Sequence, residues 1–188
     1  VFNMNDFYKS MRDTWLMWDG GLKDKVQEIR KISNNFPVEK AKIFSGGVTE
    51  EIRRSEIRWV NTPAIQSLLW PFVSATADHL EIHVTNKADI QYTEYDSNYQ
   101  GHFDWHKDVN WSEASEHDRK MSVTVQLTDP SEYEGGDFEF SEVENPKFQL
   151  KNLGTVLVFP PYLQHRVTPV TAGKRASLVA WFYGPRWR

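Results

Sequence analysis

The chain has 188 residues and a net charge of −4 at pH 7, which suits one domain with a sizeable core and disfavours a generic nucleic-acid binder. The absence of cysteine excludes disulfides, zinc–thiolate sites and thiol nucleophiles. The 8 Trp, 7 Tyr and 11 Phe argue against disorder, because so much aromatic surface can offset the entropy lost on ordering the chain. No apolar run of roughly 18 residues is present to span a membrane, and the first residues lack a signal-peptide core, so we expect a cytoplasmic protein.

Two helices are predicted in the first half of the chain. Within 22–32, apolar residues recur at helical spacing opposite a charged face. The segment 62–77 opens with Thr62 as a cap and Pro63 at the first helical position, and it carries an apolar stripe. Pro71 is expected to kink or split this second helix.

Short β-like runs dominate the rest of the chain. One alternating run, 53–60, lies between the two helices. The later runs are separated by turn signals and are 80–84, 90–95, 102–108, 121–128, 137–140, 155–159, 165–170 and 175–183. About eight strands at this spacing predict a sandwich or jelly roll, with the N-terminal helices packed outside it in a mainly β, α+β fold. We expect a single domain over 1–188, with a support region over 1–85 and a catalytic β core over 86–188.

A histidine and an aspartate, His106 and Asp108, are two residues apart in the run FDWHKDVNW. Residues i and i+2 of a strand share a face, so both side chains point the same way. A third ligand has to come from another strand, and His165 opens one of the last two. Two histidines and a carboxylate form the facial triad of non-haem Fe(II) oxygenases, which leaves positions open for a co-substrate and O₂.

The spacing alone leaves a second His-x-Asp pair open, because His102 and Asp104 lie in phase with His106 and Asp108 on the same predicted strand. The Trp-His-x-Asp context favours the later pair. His102 would then be an outer pocket or surface residue.

A co-substrate also needs an anchor, and Arg175 follows His165 by ten residues across an Ala-Gly-Lys turn. An arginine there can hold a distal carboxylate in a two-pronged ion pair. Ser177 shares its strand face and can add a hydroxyl. Ser122, Thr124 and Gln126 alternate with valines, so one face of their strand is polar and suits a lined pocket better than a core.

These motifs, taken in order, resemble the 2-oxoglutarate- and Fe(II)-dependent dioxygenases, and within them the prolyl-4-hydroxylase-like group with its PKHD-type hydroxylases. The matching segments are RRSEIRW at 53–59, QYTEY at 91–95, WHKD at 105–108, RKMSVTVQL at 119–127, YEGGDFEF at 133–140, GTVLVFPPYLQHRVTPVTAGKR at 154–175 and LVAWFYGPRW at 178–187. The resemblance therefore covers most of the chain, and it implies a double-stranded β-helix.

The resemblance also implies roles for individual residues. His106, Asp108 and His165 would be the iron ligands, and Arg175 would bind the C5 carboxylate of 2-oxoglutarate. Tyr95 matches a tyrosine that contacts 2-oxoglutarate in such enzymes. Gln126 stands where some relatives have a tyrosine. The strand pattern, in turn, predicts that Thr124 and Ser177 line the same co-substrate pocket. Ascorbate is a candidate reductant.

The expected activity is hydroxylation of a substrate, with decarboxylation of 2-oxoglutarate to succinate and CO₂. Family likeness points to a peptidyl proline, recognised at a mouth formed by Trp105, Trp111, Tyr99 and Arg119. The acidic run 113–118 is interpreted as a mobile loop and a candidate lid. A hydroxylase of a free amino acid or other small molecule stays open, as does a non-catalytic jelly-roll module that binds metal or sugar. We expect a monomer or weak oligomer that binds neither nucleic acid nor membrane.

Overall fold

A computed structural model describes residues 8–41, 51–109, 111, 115–146 and 148–187. Both of its α-helices lie in the first half of the chain: α1 is Val26–Ser33, preceded by one 3₁₀ turn at Lys23–Lys25, and α2 is Pro63–His79. Both predicted helices are thereby confirmed. The N–H of Ile65 donates to Thr62 Oγ1 at 3.3 Å, so Thr62 caps α2 as predicted.

Helix α2 runs through Pro71 without being split. A proline inside a helix removes the hydrogen bond to the carbonyl four residues earlier. That carbonyl belongs to Ser67, on the exposed side of α2, where solvent can satisfy it. The neighbouring Phe72 and Val73 are buried in the core, and their packing outweighs the lost bond.

The strands of the described residues form two sheets. They are β1 (Tyr8–Lys9), β2 (Leu16–Trp18), β3 (Glu39–Lys40), β4 (Arg53–Arg54), β5 (Glu56–Trp59), β6 (Ala88–Asp96), β7 (His102–His106), β8 (His117–Gln126), β9 (Tyr133–Gly135), β10 (Phe138–Phe140), β11 (Val156–Phe159), β12 (His165–Val167) and β13 (Val170–Pro185). The major sheet has the order β1-β2-β11-β8-β13-β6-β5-β3, with β9 also paired to β13. The minor sheet has the order β10-β12-β7-β4. Every pairing is antiparallel, and the mainly β jelly-roll class predicted from the sequence is confirmed.

The two faces of the major sheet differ in chemistry. On one face, apolar side chains pack against α1 and α2 in the largest hydrophobic cluster, which includes Ile90, Val123, Val125, Leu178 and Phe182. The residues between them point to the other face, towards the minor sheet, and many are polar and buried: Gln91, Thr93, Ser122, Thr124, Gln126, Arg175 and Ser177. Strand alternation thus separates a core that stabilises the fold from a polar interior.

The predicted strand at 80–84 is wrong. Helix α2 ends at His79, Glu81 adopts a left-handed φ of 55°, and the N–H of Ile82 donates to the carbonyl of Ala77 at 2.9 Å. Leu80, Ile82 and Val84 are partly buried against the helical core. These apolar residues alternate with polar ones because the turn that ends α2 packs every second side chain against the core. The period of two therefore does not indicate a strand here.

The predicted strand at 53–60 divides into two. Arg53 and Arg54 pair with β7 in the minor sheet, whereas residues from Glu56 onward pair with β6 in the major sheet. Strands β1, β2, β3 and β9 are too short to leave a periodic signal in the sequence. Among the described residues, no helix is long and apolar enough to cross a membrane.

Replacing Leu69 with alanine should lower the free energy of unfolding by about 2–5 kcal/mol, because this fully buried side chain of α2 would leave a cavity. The adjacent Leu68 is only partly buried, so Leu68→Ala should cost clearly less. Urea denaturation followed by circular dichroism measures both values. Equal losses would contradict the packing described for α2.

Candidate metal centre and anion pocket

Three side chains from separate segments meet between the two sheets. His106 ends β7, Asp108 lies in the loop after it, and His165 opens β12. His106 Nε2 is 3.6 Å from Asp108 Oδ1, and His165 Nε2 is 3.6 Å from Asp108 Oδ2. Their ligand atoms all lie within 4.8 Å of one another, so the cluster could hold a metal ion.

An irregularity in strand β7 sets which residues face this cluster. Phe103 pairs with Val167 and His106 pairs with His165, so three steps along β7 match two along β12. The extra residue shifts the alternation, and Phe103 stacks on His106 with ring centroids 3.4 Å apart. The predicted strand 102–108 in fact ends at His106, and the expectation that all four residues of the two His-x-Asp pairs share one strand face is wrong.

The earlier pair does not belong to the metal-ligating cluster. Both ring nitrogens of His102 contact backbone carbonyls, of Gln100 at 2.8 Å and of Glu51 at 3.1 Å. Asp104 is exposed and accepts the N–H of Trp105. Neither side chain joins the cluster of His106, Asp108 and His165.

Hydrogen bonds orient each of the three side chains towards the centre. The Nδ1 atoms of His106 and His165 lie 2.7 and 2.9 Å from the backbone carbonyls of Asp104 and Leu163. A proton on Nδ1 donates to each carbonyl and leaves Nε2 with a lone pair for a metal. Ser122 Oγ donates to Asp108 Oδ2 at 2.7 Å.

The protonation states also suit a cation. Burial and, second, the nearby His165 lower the pKa of His106 to about 3, so this imidazole is neutral at pH 7. Burial raises the pKa of Asp108, but His165 and His106 outweigh it and hold that pKa below its usual value. Neutral imidazoles and an ionised carboxylate are the forms that bind a divalent metal, and this donor set fits Fe(II).

Arg175 lies in the same interior, on β13, and is 1% exposed. Two of its nitrogens, Nε and Nη1, are buried without a hydrogen-bond partner, and no carboxylate of the described residues pairs with it. Its guanidinium carbon lies 5.5 Å from the centre of the Tyr95 ring, directly across the strand pair. A buried cation with no counter-ion is costly, so this position suits an anionic ligand.

Other polar groups around Arg175 are also buried without partners. They are the side-chain oxygen of Gln126, opposite Ser177 on the neighbouring strand, and the hydroxyl of Tyr133, opposite Gly173. A Cβ on Gly136 would lie 2.7 Å from Arg175 Cδ and 3.4 Å from Tyr133 Cε2, so glycine leaves room for both side chains. Arg175 and the Tyr133 hydroxyl could both donate to a carboxylate, whereas the Gln126 oxygen can only accept a hydrogen bond.

The predicted co-substrate residues occupy two connected regions. Tyr95, Thr124 and Ser177 line a small cavity of about 30 Å³ that reaches His106, Asp108 and His165, and Gln126 lines the adjoining pocket beside Tyr133. Arg175 lies within β13, which begins at Val170, and does not open it as predicted.

Sequence reasoning missed Tyr133 and Arg53. Tyr133 stands beside the Gly-Gly pair that makes room for Arg175, and this pair was the available signal. No local pattern in the sequence predicts that Arg53 is buried, because its burial depends on packing against Phe103 of β7.

An open groove of about 530 Å³ leads to the cluster. Of the predicted mouth residues, Trp105 and Arg119 line it, whereas Trp111 is 64% exposed and neither it nor Tyr99 is among the lining residues. Trp59 and Trp181 line the groove as well. The lid interpretation of 113–118 falls partly on residues 113 and 114, which lie outside the described residues, while His117 and Asp118 already belong to β8.

Comparisons with known proteins agree with this geometry. A PKHD-type hydroxylase of Synechococcus sp. is 37% identical over 83 residues, covering 44% of this chain and 36% of the relative. The chain thus matches only about a third of that relative's length.

Two solved structures share the fold. A prolyl-4-hydroxylase of Pseudomonas putida superimposes with a TM-score of 0.68 at 17% identity, covering 93% of each chain. A prolyl hydroxylase of Trichoplax adhaerens, in complex with a hypoxia inducible factor peptide fragment, gives a TM-score of 0.68 at 14% identity, covering 91% of this chain and 84% of the other.

The model of the 2OG-Fe(II) oxygenase superfamily matches residues 90–183, half of the chain. This span contains the two histidines and the aspartate of the cluster together with Arg175. The chain belongs to the 2OG-Fe(II) oxygenase superfamily.

Proposed function

We propose that this protein is an Fe(II)- and 2-oxoglutarate-dependent hydroxylase. His106, Asp108 and His165 would hold the iron, and Arg175 would bind the C5 carboxylate of 2-oxoglutarate. The observation that carries the proposal is the presence, in one interior, of a buried metal-ligating triad and a buried arginine without a counter-ion. A non-catalytic metal- or sugar-binding module would have no use for the second feature.

The iron and 2-oxoglutarate, when bound, would supply the oxidising chemistry with O₂ as the oxidant: one oxygen atom would enter succinate, formed with loss of CO₂, and the other the hydroxyl of the product. The protein's own residues would bind and orient the metal and the co-substrate, and they exclude water from the centre. Ser122 fixes the Asp108 carboxylate, and the backbone carbonyls of Asp104 and Leu163 fix the imidazoles. The hydroxyl of Tyr133, buried without a partner, would donate a hydrogen bond to the carboxylate held by Arg175. Phe138 and Phe159 cover His165 with ring centroids 5.3 and 4.9 Å away and keep that side of the centre dry.

The proposed substrate is a peptidyl proline. Two structural neighbours are prolyl hydroxylases by name, and one is a complex with a peptide fragment. The groove beside the triad is open, with a volume of about 530 Å³, and Trp59, Trp105 and Trp181 give it aromatic walls that suit the apolar proline ring.

Asp108→Ala should abolish Fe(II) binding, because it removes the only anionic ligand of the triad. Metal content after anaerobic loading with Fe(II), measured by atomic emission, tests this. His102→Ala is the matched control and should retain normal metal content. If His102→Ala lost its iron and Asp108→Ala retained it, the ligands would be His102 and Asp104, and the assignment to His106 and Asp108 would be wrong.

Arg175→Ala should weaken 2-oxoglutarate binding by about 2–5 kcal/mol, because a buried carboxylate would lose its charged partner. Arg175→Lys should recover only part of the affinity, since lysine lacks the planar fork. Tyr133→Phe should cost about 1.5–3 kcal/mol through loss of one hydrogen bond to a charged group. The measurement is calorimetric titration of the Mn(II)-loaded protein.

The same titration with 2-oxobutyrate provides the control, because that ligand chelates the metal but has no C5 carboxylate. Its affinity should not change in Arg175→Ala or in Tyr133→Phe. Equal losses for both ligands would mean that the substitutions disturb the metal centre and that Arg175 is not the carboxylate anchor.

Proline-containing peptides should stimulate succinate release from 2-oxoglutarate in the presence of Fe(II) and ascorbate, and mass spectrometry should find one added oxygen on the proline. Free L-proline and other free amino acids form the comparison panel. Stimulation by a free amino acid, with none from any peptide, would assign the protein to small-molecule hydroxylation. Absence of any succinate from 2-oxoglutarate would reject the proposed function itself.

A further inference from the structure

A second buried arginine lies on the groove side of the centre. Arg53 is 8% exposed, its Nε donates to Ser55 Oγ at 3.0 Å, and its Nη2 donates to the side-chain oxygen of Gln91 at 2.7 Å. Both partners are neutral, and among the described residues no carboxylate lies within 4.0 Å of its nitrogens. Burial lowers the pKa of Arg53. A buried charge left without a counter-ion is a mark of a functional site.

Arg53 is close to the triad. Its guanidinium carbon lies 4.5 Å from the centre of the Phe103 ring, and that ring stacks on His106 with an angle of 9° between the planes. Arg53 lines both the open groove and the small cavity at the triad. A ligand that reaches the metal through the groove therefore passes this cation.

Trp181 adds a hydrogen-bond donor to the same wall. Its indole Nε1 is buried without a partner, and the residue is 6% exposed. Like Arg53, it lines both the groove and the cavity. Gln91, which accepts from Arg53, pairs with Val179, two residues before Trp181 on β13. A cation and a residue with an unpaired N–H thus line the same groove and the same cavity.

The charges of the loaded centre leave Arg53 uncompensated. A divalent ion and the Arg175 guanidinium balance the Asp108 carboxylate and the two carboxylates of 2-oxoglutarate, and the imidazoles are neutral. Asp108, the anion that raises the pKa of Arg53 together with Tyr95, is then neutralised by the metal. Arg53 then has no anionic partner among the ligands of the loaded centre, and a carboxylate of the substrate would compensate its charge.

We propose that Arg53 and the indole N–H of Trp181 form a subsite that binds a carboxylate of the prime substrate beside the metal centre. This inference rests on the proposed function and narrows its substrate to an anionic one. The carboxylate belongs either to a free amino acid or to an acidic residue next to the proline of a peptide. The recognition chemistry is the same in both.

The test uses pairs of probes that differ only in charge: L-proline against L-prolinamide, and acetyl-Pro-Asp-amide against acetyl-Pro-Asn-amide. Calorimetric titration into protein loaded with Mn(II) and 2-oxoglutarate measures binding without turnover. In the wild-type protein the carboxylate member of at least one pair should bind about tenfold more tightly than its amide, as expected for a charge-assisted hydrogen bond. The pair that shows the preference identifies the source of the carboxylate.

Arg53→Gln should remove this preference, and Arg53→Lys should retain part of it because it keeps the charge. Trp181→Phe keeps an aromatic ring and should reduce the preference without removing it. Arg54→Gln is the matched control: it removes the same charge from the next residue, whose Nη1 donates to the backbone carbonyl of Tyr99 and which does not line the groove. Its preference should equal that of the wild type.

Three results would overturn the subsite. The first is an absence of carboxylate preference in the wild type for both pairs. The second is an equal loss of affinity for carboxylate and amide in Arg53→Gln, which indicates a structural role. The third is weaker 2-oxoglutarate binding in Arg53→Gln with the probe preference intact, which assigns the carboxylate to the co-substrate. Succinate formation by the wild type is measured separately, so failure of the subsite and failure of the proposed function are distinguishable.

Discussion

The alternation of side chains over 90–95 of β6, 121–126 of β8 and 175–182 of β13 is the constraint on which the rest of the structure depends. One face of these strands carries Ile90, Val123 and Leu178 into the core beneath the helices. The other carries Ser122, Arg175 and further polar residues into the space between the sheets. A one-residue slip of any of these strands would exchange the two sets and bury charge in the apolar core. The fold can therefore hold a polar interior only because the opposite face provides the stabilising burial.

Much of this arrangement could be predicted from the sequence because it depends on local residue patterns. The Thr62–Pro63 start of α2 and the strands around 90–95, 121–128 and 175–183 have strong periodicity or clear caps. The alternation of Ser122, Thr124 and Gln126 with valines indicated a strand with one polar face, and the structure has this face turned inward. The order of His106, Asp108, His165 and Arg175 also carried the family likeness without any knowledge of distances.

The remaining features depend on contacts between distant segments, which local patterns do not encode. The irregularity in β7 changes which side of the sheet the side chains face before and after it. Residue spacing therefore could not decide whether His102 or His106 is the ligand, whereas the pairing of β7 with β12 does. The alternation at 80–84 reports burial against α2, and burial alone does not distinguish a strand from a turn. Arg53 and Tyr133 reach the interior from strands of two or three residues, where neither propensity nor period gives a signal.

The interior has a further physical consequence for the protein as a whole. Arg175 and Arg53 are both buried in this interior, each without a carboxylate partner among the described residues. Together they destabilise the empty site, since each guanidinium has lost water without gaining a paired carboxylate. A metal ion alone adds further positive charge, whereas a dianionic co-substrate compensates it. Binding to the native state stabilises it by mass action, so the electrostatics favour joint occupancy of the centre over metal alone. In the proposed function, the same charge distribution that makes the empty interior costly would couple the retention of the metal to the presence of an anionic ligand.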